Sequence, residues 1–167
     1  MRVYLPATTT VLQRLLDQGR LAGPITVFAV TPQLRSFYEL SESDEELEYS
    51  ALIAAARASL RLIDNDPSAA RRRVVLAADV PDDTVTSIQD DAADAGAART
   101  TADVTLRDVA SAHIDGAEAE DDVRAAVNVV LEADLGSADA QFRVDQAEGH
   151  ELGWYATQEI GPVLELL

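Results

Sequence analysis

One amphipathic segment constrains the fold more than any other feature. Tyr49, Leu52, Ile53, Ala56, Leu60 and Ile63 fall at i, i+3, i+4, i+7, i+11 and i+14, the repeat of a single helical face. Ser43 followed by Glu46 fits a capping box, in which each side chain satisfies the other residue's free backbone N–H, and the neighbouring acids suit the positive end of a helix. Asn65-Asp66-Pro67 stops it. A helix with so long an apolar face gains most of its stability by lying on another apolar surface. The chain offers one in strand-like runs. Residues 25–30 are a run of apolar and β-branched residues that reads as a buried strand, and residues 73–80 form a further strand ended by Pro81.

The remaining segments fill out the same plan. Residues 3–5 read as a first strand ended by Pro6, and Thr8, Thr9 and Thr10 offer caps for a helix carrying Val11, Leu12, Leu15 and Leu16. Gly19 or Gly23 closes that helix. Thr31-Pro32 starts another, with Leu34, Phe37 and Tyr38 at helical spacing. Short strands are expected at 85–88 and 98–104, with an acidic, Ala-rich and exposed stretch at 89–96 between them. Residues 109–114 form a strand turned by Asp115-Gly116. A single helix follows, carrying Val123, Ala126, Val127, Val130 and Leu131 to a stop at Gly136, and Ser137 and Asp139 cap a short helix through Phe142 and Val144. Residues 151–157 are the last strand, and 162–167 a helical or extended tail. The expected class is α+β: one domain over residues 1–167, with a mixed β-sheet and amphipathic helices on one or both faces. Arg2-Val3-Tyr4-Leu5-Pro6-Ala7 is echoed by Arg73-Val74-Val75-Leu76-Ala77-Ala78, which raises the alternative of two related α/β halves.

Composition narrows the chemistry. A chain of 167 residues buries enough surface to fold without metals or disulfides. Cysteine is absent, which removes disulfides, thiolate nucleophiles and Cys-type metal sites. All thirteen basic residues are arginine, so there is no lysine for Schiff-base chemistry or for a phosphate-binding P-loop. A net charge of −17 repels nucleic acid and anionic membranes. No apolar run is long enough to span a bilayer, and the N-terminus lacks a signal-peptide core. The chain therefore reads as complete and cytoplasmic. No cofactor is implied. The remaining partners are another protein, a second copy or a small molecule. Arg71-Arg72-Arg73 is the one basic run, read as a solvated strand entrance or an anion contact.

Scarce residues concentrate in 150–160, which holds the only tryptophan and one of two histidines. Strand alternation places His150, Leu152, Trp154 and Ala156 on one face and Glu151, Gly153, Tyr155 and Thr157 on the other. Leu152 and Trp154 read as core. Glu151, Tyr155 and Thr157 then form a face for a ligand or partner, with Gly153 allowing close approach. On the strand at 109–114, Ser111, His113 and Asp115 alternate onto one face. Same-face neighbours lie roughly 6.6 Å apart along a strand, too far for the chained hydrogen bonds of a hydrolytic triad. The enzymatic alternative is a small His/carboxylate site of His113, Asp115, His150 and Glu151, in which His113 and Asp115 form an H-x-D pair for metal assistance.

Several stretches together carry a resemblance: Met1-Arg2-Val3-Tyr4-Leu5-Pro6-Ala7-Thr8, Ala29-Val30-Thr31-Pro32, Glu45-Glu46-Leu47-Glu48-Tyr49-Ser50-Ala51-Leu52, Ala54-Ala55-Ala56-Arg57-Ala58-Ser59-Leu60-Arg61-Leu62, Arg72-Arg73-Val74-Val75-Leu76-Ala77-Ala78-Asp79-Val80 and Trp154-Tyr155-Ala156-Thr157-Gln158-Glu159-Ile160. Over its full length the chain is similar to an uncharacterised actinobacterial family, a domain of unknown function. The resemblance implies a soluble single-domain protein from a GC-rich genome, rather than a halophile's, and brings no activity, ligand or catalytic residue with it. Gly153 departs from the pattern, standing where a larger apolar residue is expected. The favoured reading is a module that binds a partner protein, itself or a small molecule; the alternative is the small enzyme.

Overall fold

The computed structural model describes residues 1–38, 43–88 and 96–167. The elements run β1 (Arg2–Ala7), α1 (Thr9–Gln18), β2 (Arg20–Leu21), β3 (Ile25–Phe28), α2 (Pro32–Phe37), α3 (Asp44–Asp64), β4 (Val74–Asp79), β5 (Val85–Ser87), β6 (Ala97–Thr100), β7 (Val104–Thr105), β8 (Val109–Ile114), α4 (Glu120–Val127), α5 (Val130–Asp134), α6 (Ala138–Glu148), β9 (Gly153–Ala156) and α7 (Ile160–Glu165). Seven strands form one sheet in the order β5-β6-β3-β1-β4-β8-β9, while β2 and β7 pair apart from it.

The α+β class is as expected, but the sheet is antiparallel at every pairing rather than mixed. The reason lies in the crossover through α3. It joins β3 to β4, which run in the same direction, yet β1 lies between them and pairs antiparallel with both. The two similar hexapeptides are those central neighbours: β1 and β4 pair along their whole length, from Arg2 opposite Asp79 to Ala7 opposite Val74.

Alternation along these strands supplies two apolar faces. Val3, Leu5, Leu76 and Ile114 point to one side, where Leu12 and Leu15 of α1 and Ile160 of α7 cover them. Tyr4, Phe28, Val75 and Ala77 point to the other, under Leu34 of α2 and Leu47, Ala51 and Ala55 of α3. The far end of α3 overhangs the sheet, and Leu60 and Ile63 anchor a third cluster with Val123, Val127, Val130 and Val144.

Helix α3 starts where its capping box is expected. The Ser43 N–H donates to Glu46 at 2.8 Å and the Glu46 N–H donates to the Ser43 hydroxyl at 3.3 Å. Its buried stripe is rotated from the expected one, running through Leu47, Ala51, Ala55, Ala56, Ser59, Leu60 and Ile63. Alanines allow the helix axis to lie close to the sheet, so the larger Tyr49, Leu52 and Ile53 fall on its flank. The Ser59 hydroxyl stitches helix to sheet, donating to the Ala7 carbonyl at 2.7 Å and accepting from the Val74 N–H at 3.1 Å.

The helix expected through Val123 and Leu131 is two helices. Val129 leaves helical geometry at φ −130°, ψ 6° between α4 and α5, which turns Val130 inward and leaves Leu131 exposed. The strand expected at 98–104 ends at Thr100, and its last residue, Val104, begins β7. The tail is helical in α7. Most of the acidic stretch at 89–96 lies outside the described residues. Among the described residues no helix is long and apolar enough to cross a membrane.

Candidate functional site

Cross-strand register builds the floor of a cleft on the α3 face of the sheet. Tyr4 on β1 stands opposite Ala77 on β4, and Ala77 opposite Ser111 on β8. In the adjacent row, His113 on β8 stands opposite Trp154 on β9. Ala77 is the smallest side chain between Tyr4 and Ser111, so the floor dips there. Helix α3 lies over β1 and its neighbours β3 and β4, and β8 and β9 continue past it. Its first turns contribute Glu45, Glu48, Tyr49 and Leu52 as one wall, and Arg2 closes an end, giving a cleft of about 270 Å³.

The polar groups here have defined settings. Ser111, only 5% exposed, places its hydroxyl 3.1 Å from His113 Nε2. Burial, reinforced by the positive charge of Arg2, holds the His113 imidazole below its ordinary value and favours its neutral form. The Arg2 guanidinium donates to Asp79 through Nε at 2.8 Å and Nη2 at 3.2 Å. The Tyr4 hydroxyl is raised from its ordinary value, first by burial and then by the carboxylate of Glu48. Trp154 and Tyr49 are 63% and 59% exposed, two large aromatic surfaces facing open space at the mouth.

A second hollow of about 220 Å³ adjoins the first across Tyr49 and Leu52, which line both. It takes in Arg73, Glu148, His150, Glu151 and Leu152. His150 Nε2 lies 2.7 Å from Asp122 Oδ2. Burial raises the Glu148 carboxyl despite Arg57 at 3.7 Å.

The residues singled out from the sequence are thus divided. His113 lines the first hollow, and His150 and Glu151 line the second. Asp115 lines neither. It lies just past the end of β8, fully buried, and accepts from Arg73 Nε and Nη2 at 2.8 Å each and from the Arg73 backbone N–H at 2.8 Å. The H-x-D metal pair is therefore not formed, and among the described residues no three His, Asp or Glu side chains gather as a metal set. Ser111 and His113 do meet. Side chains lean along a strand, and the imidazole is long enough to close the spacing that the backbone leaves.

Trp154 and Tyr155 exchange the places expected of them. Tyr155 pairs with Ala112, whose side chain faces α1 and α7, and its ring packs on that core. Trp154 pairs with His113 and stays exposed. The space over Gly153 belongs to the same tyrosine: a methyl group there would meet the Tyr155 ring and the Ile114 carbonyl at 3.3 Å each. Thr157 donates its hydroxyl to the Val109 carbonyl at 2.7 Å, a strap across β8. Leu152 is half-buried under the α3-face core, as its face assignment expects.

The basic run is engaged within the protein. Arg73 is 1% exposed against Asp115, Arg72 donates to Glu120 at 2.9 Å, and Arg71 donates to the Ala69 carbonyl at 3.1 Å. Sequence reasoning missed Arg2, Tyr4, Glu45, Glu48 and Tyr49 as cleft residues. Scarcity was an available signal for the tyrosines, since the chain has only four.

In comparison with known proteins, residues 1–164 match the group described as Family of unknown function (DUF6912). No curated protein and no solved structure matches the chain.

Proposed function

We propose that this chain, which belongs to the DUF6912 family, is a binding module for a small molecule held in the cleft between α3 and strands β8 and β9. One observation carries the reading. Tyr4, Tyr49, His113 and Trp154 come from four separate elements and line a single hollow, in a chain with four tyrosines, two histidines and one tryptophan. Exposed aromatic surface beside a few fixed polar groups is the usual make-up of a ligand site. A titration of intrinsic fluorescence against metabolite pools tests it, because Trp154 is the only tryptophan. Saturable change is expected. A flat response across the pools, with calorimetry equally silent, would count against the cleft as a site.

A second reading rests on the 3.1 Å contact between Ser111 and His113, the arrangement of a nucleophile and its base. A neutral imidazole is the competent base form. Binding is preferred because Asp115, the residue that would orient such a base, is held by Arg73. Turnover of activated esters that disappears in both Ser111→Ala and His113→Ala would reverse that preference.

A further inference from the structure

We propose that the ligand of this cleft is an organic cation, a quaternary or protonated amine, held between the faces of Trp154 and Tyr49 and countered by Glu45 and Glu48. The inference rests on the small-molecule reading above and assigns its ligand a charge. Two exposed aromatic rings at one mouth are the hardware of cation recognition, because a ring face carries negative potential, strongest for tryptophan. The fixed charges agree. Glu45 and Glu48 both line the cleft. Arg2 also lines it and its charge reaches His113, but Asp79 binds its guanidinium through two hydrogen bonds and offsets part of that charge, so Glu45 and Glu48 leave the cleft with an excess of negative charge. Burial keeps His113 toward its uncharged form, which removes the other cationic candidate.

The competing field is the positive end of α3. It amounts to about half an elementary charge, and it is confined to the first turn. That turn carries Asp44, Glu45 and Glu46, and the Ser43–Glu46 box takes up free N–H groups there. An anion would therefore meet carboxylates rather than open N–H donors. A neutral aromatic ligand would stack on the same rings but gain nothing from Glu45 and Glu48. At longer range the net charge of −17 draws cations in and repels anions.

The test uses the full chain and four probes followed by Trp154 fluorescence: choline, benzyltrimethylammonium, choline's uncharged carbon isostere neohexyl alcohol, and benzoate. The expected result is saturable binding of both cations, with choline at least about fivefold tighter than the isostere and benzoate weakest. Glu48→Gln should weaken choline about threefold or more and leave the isostere unchanged, with an unaltered circular dichroism spectrum showing that the variant folds. Equal affinity for choline and its isostere, or tighter benzoate, would overturn the charge assignment while leaving a small-molecule cleft. Silence from all four probes, confirmed by calorimetry, would overturn the charge assignment and the cleft together.

Discussion

His113 and Asp115 sit two residues apart where β8 ends, and their surroundings are opposites. Asp115 is enclosed. Both its oxygens face Arg73, which also donates to the His150 carbonyl at 2.9 Å and so ties the approach to β9 to the start of β4. His113 stands on the floor of a cleft beside an exposed tryptophan, with Ser111 as its hydrogen-bond partner. The same residue types thus serve two ends. Where every polar atom is answered inside the protein, the group holds the fold. Where polar and aromatic surfaces face a hollow, they are free to meet something else.

The comparison predicts unequal costs. Asp115→Ala leaves Arg73 buried without its counter-charge and should cost about 3–5 kcal/mol in chemical denaturation. The double variant Arg73→Met, Asp115→Leu should recover much of that, since an apolar pair of similar volume avoids the stranded charge. A loss below about 1 kcal/mol in the single variant would show that the enclosed pair is not the structural tie argued here. Ser59→Ala comes next. It strands the Ala7 carbonyl and the Val74 N–H and should cost about 1–3 kcal/mol, measured the same way.

Much of this architecture was readable from pattern. The capping box at Ser43 and Glu46, the strand cores and the class of fold follow from local spacing, which the final structure keeps. The site was less readable, because it depends on pairing. Whether Trp154 or Tyr155 is exposed turns on which one registers with His113, and alternation alone divides a strand without saying which half is core. Tyr49 counted correctly toward a helical face, but the stripe that meets the sheet is set by Ala51 and Ala55. Asp115 looked like a partner for His113 because nothing local reveals that Arg73 reaches it first, forty-two residues away in sequence.

Acidity distinguishes the two regions again, more gently. In the folded chain His113 titrates below the ordinary imidazole value of 6.5, chiefly through burial. The unfolded chain then binds more protons, so stability is fully present above about pH 6.5 and falls as pH drops through the folded value. His113→Gln should flatten that loss in urea midpoints collected between about pH 7 and 5. Asp79 and Asp134 act in a separate window. Each is held below its ordinary 3.8 by hydrogen bonding to arginine, Arg2 and Arg61 respectively, so their contribution disappears only at more acid pH. An unchanged pH profile in His113→Gln would mean that the imidazole is solvated rather than partly enclosed on the cleft floor.

The smallest stability effect should fall on the residue most important to the proposed function. Trp154→Ala removes a side chain that is 63% exposed, and the unfolding free energy should stay within about 0.5 kcal/mol of the parent. Its neighbour Tyr155 packs on the α1–α7 core, and Tyr155→Ala should cost roughly 1–2 kcal/mol through lost apolar contact. Calorimetric binding of choline should show the opposite ranking, with Trp154→Ala losing it and Tyr155→Ala retaining it. The pair is informative because the residues are adjacent on one short strand, so local damage to β9 would affect both measurements alike. A destabilised Trp154→Ala with intact binding would place the tryptophan on the structural side of the comparison, and the cleft would lose the ring surface on which its ligand is argued to sit.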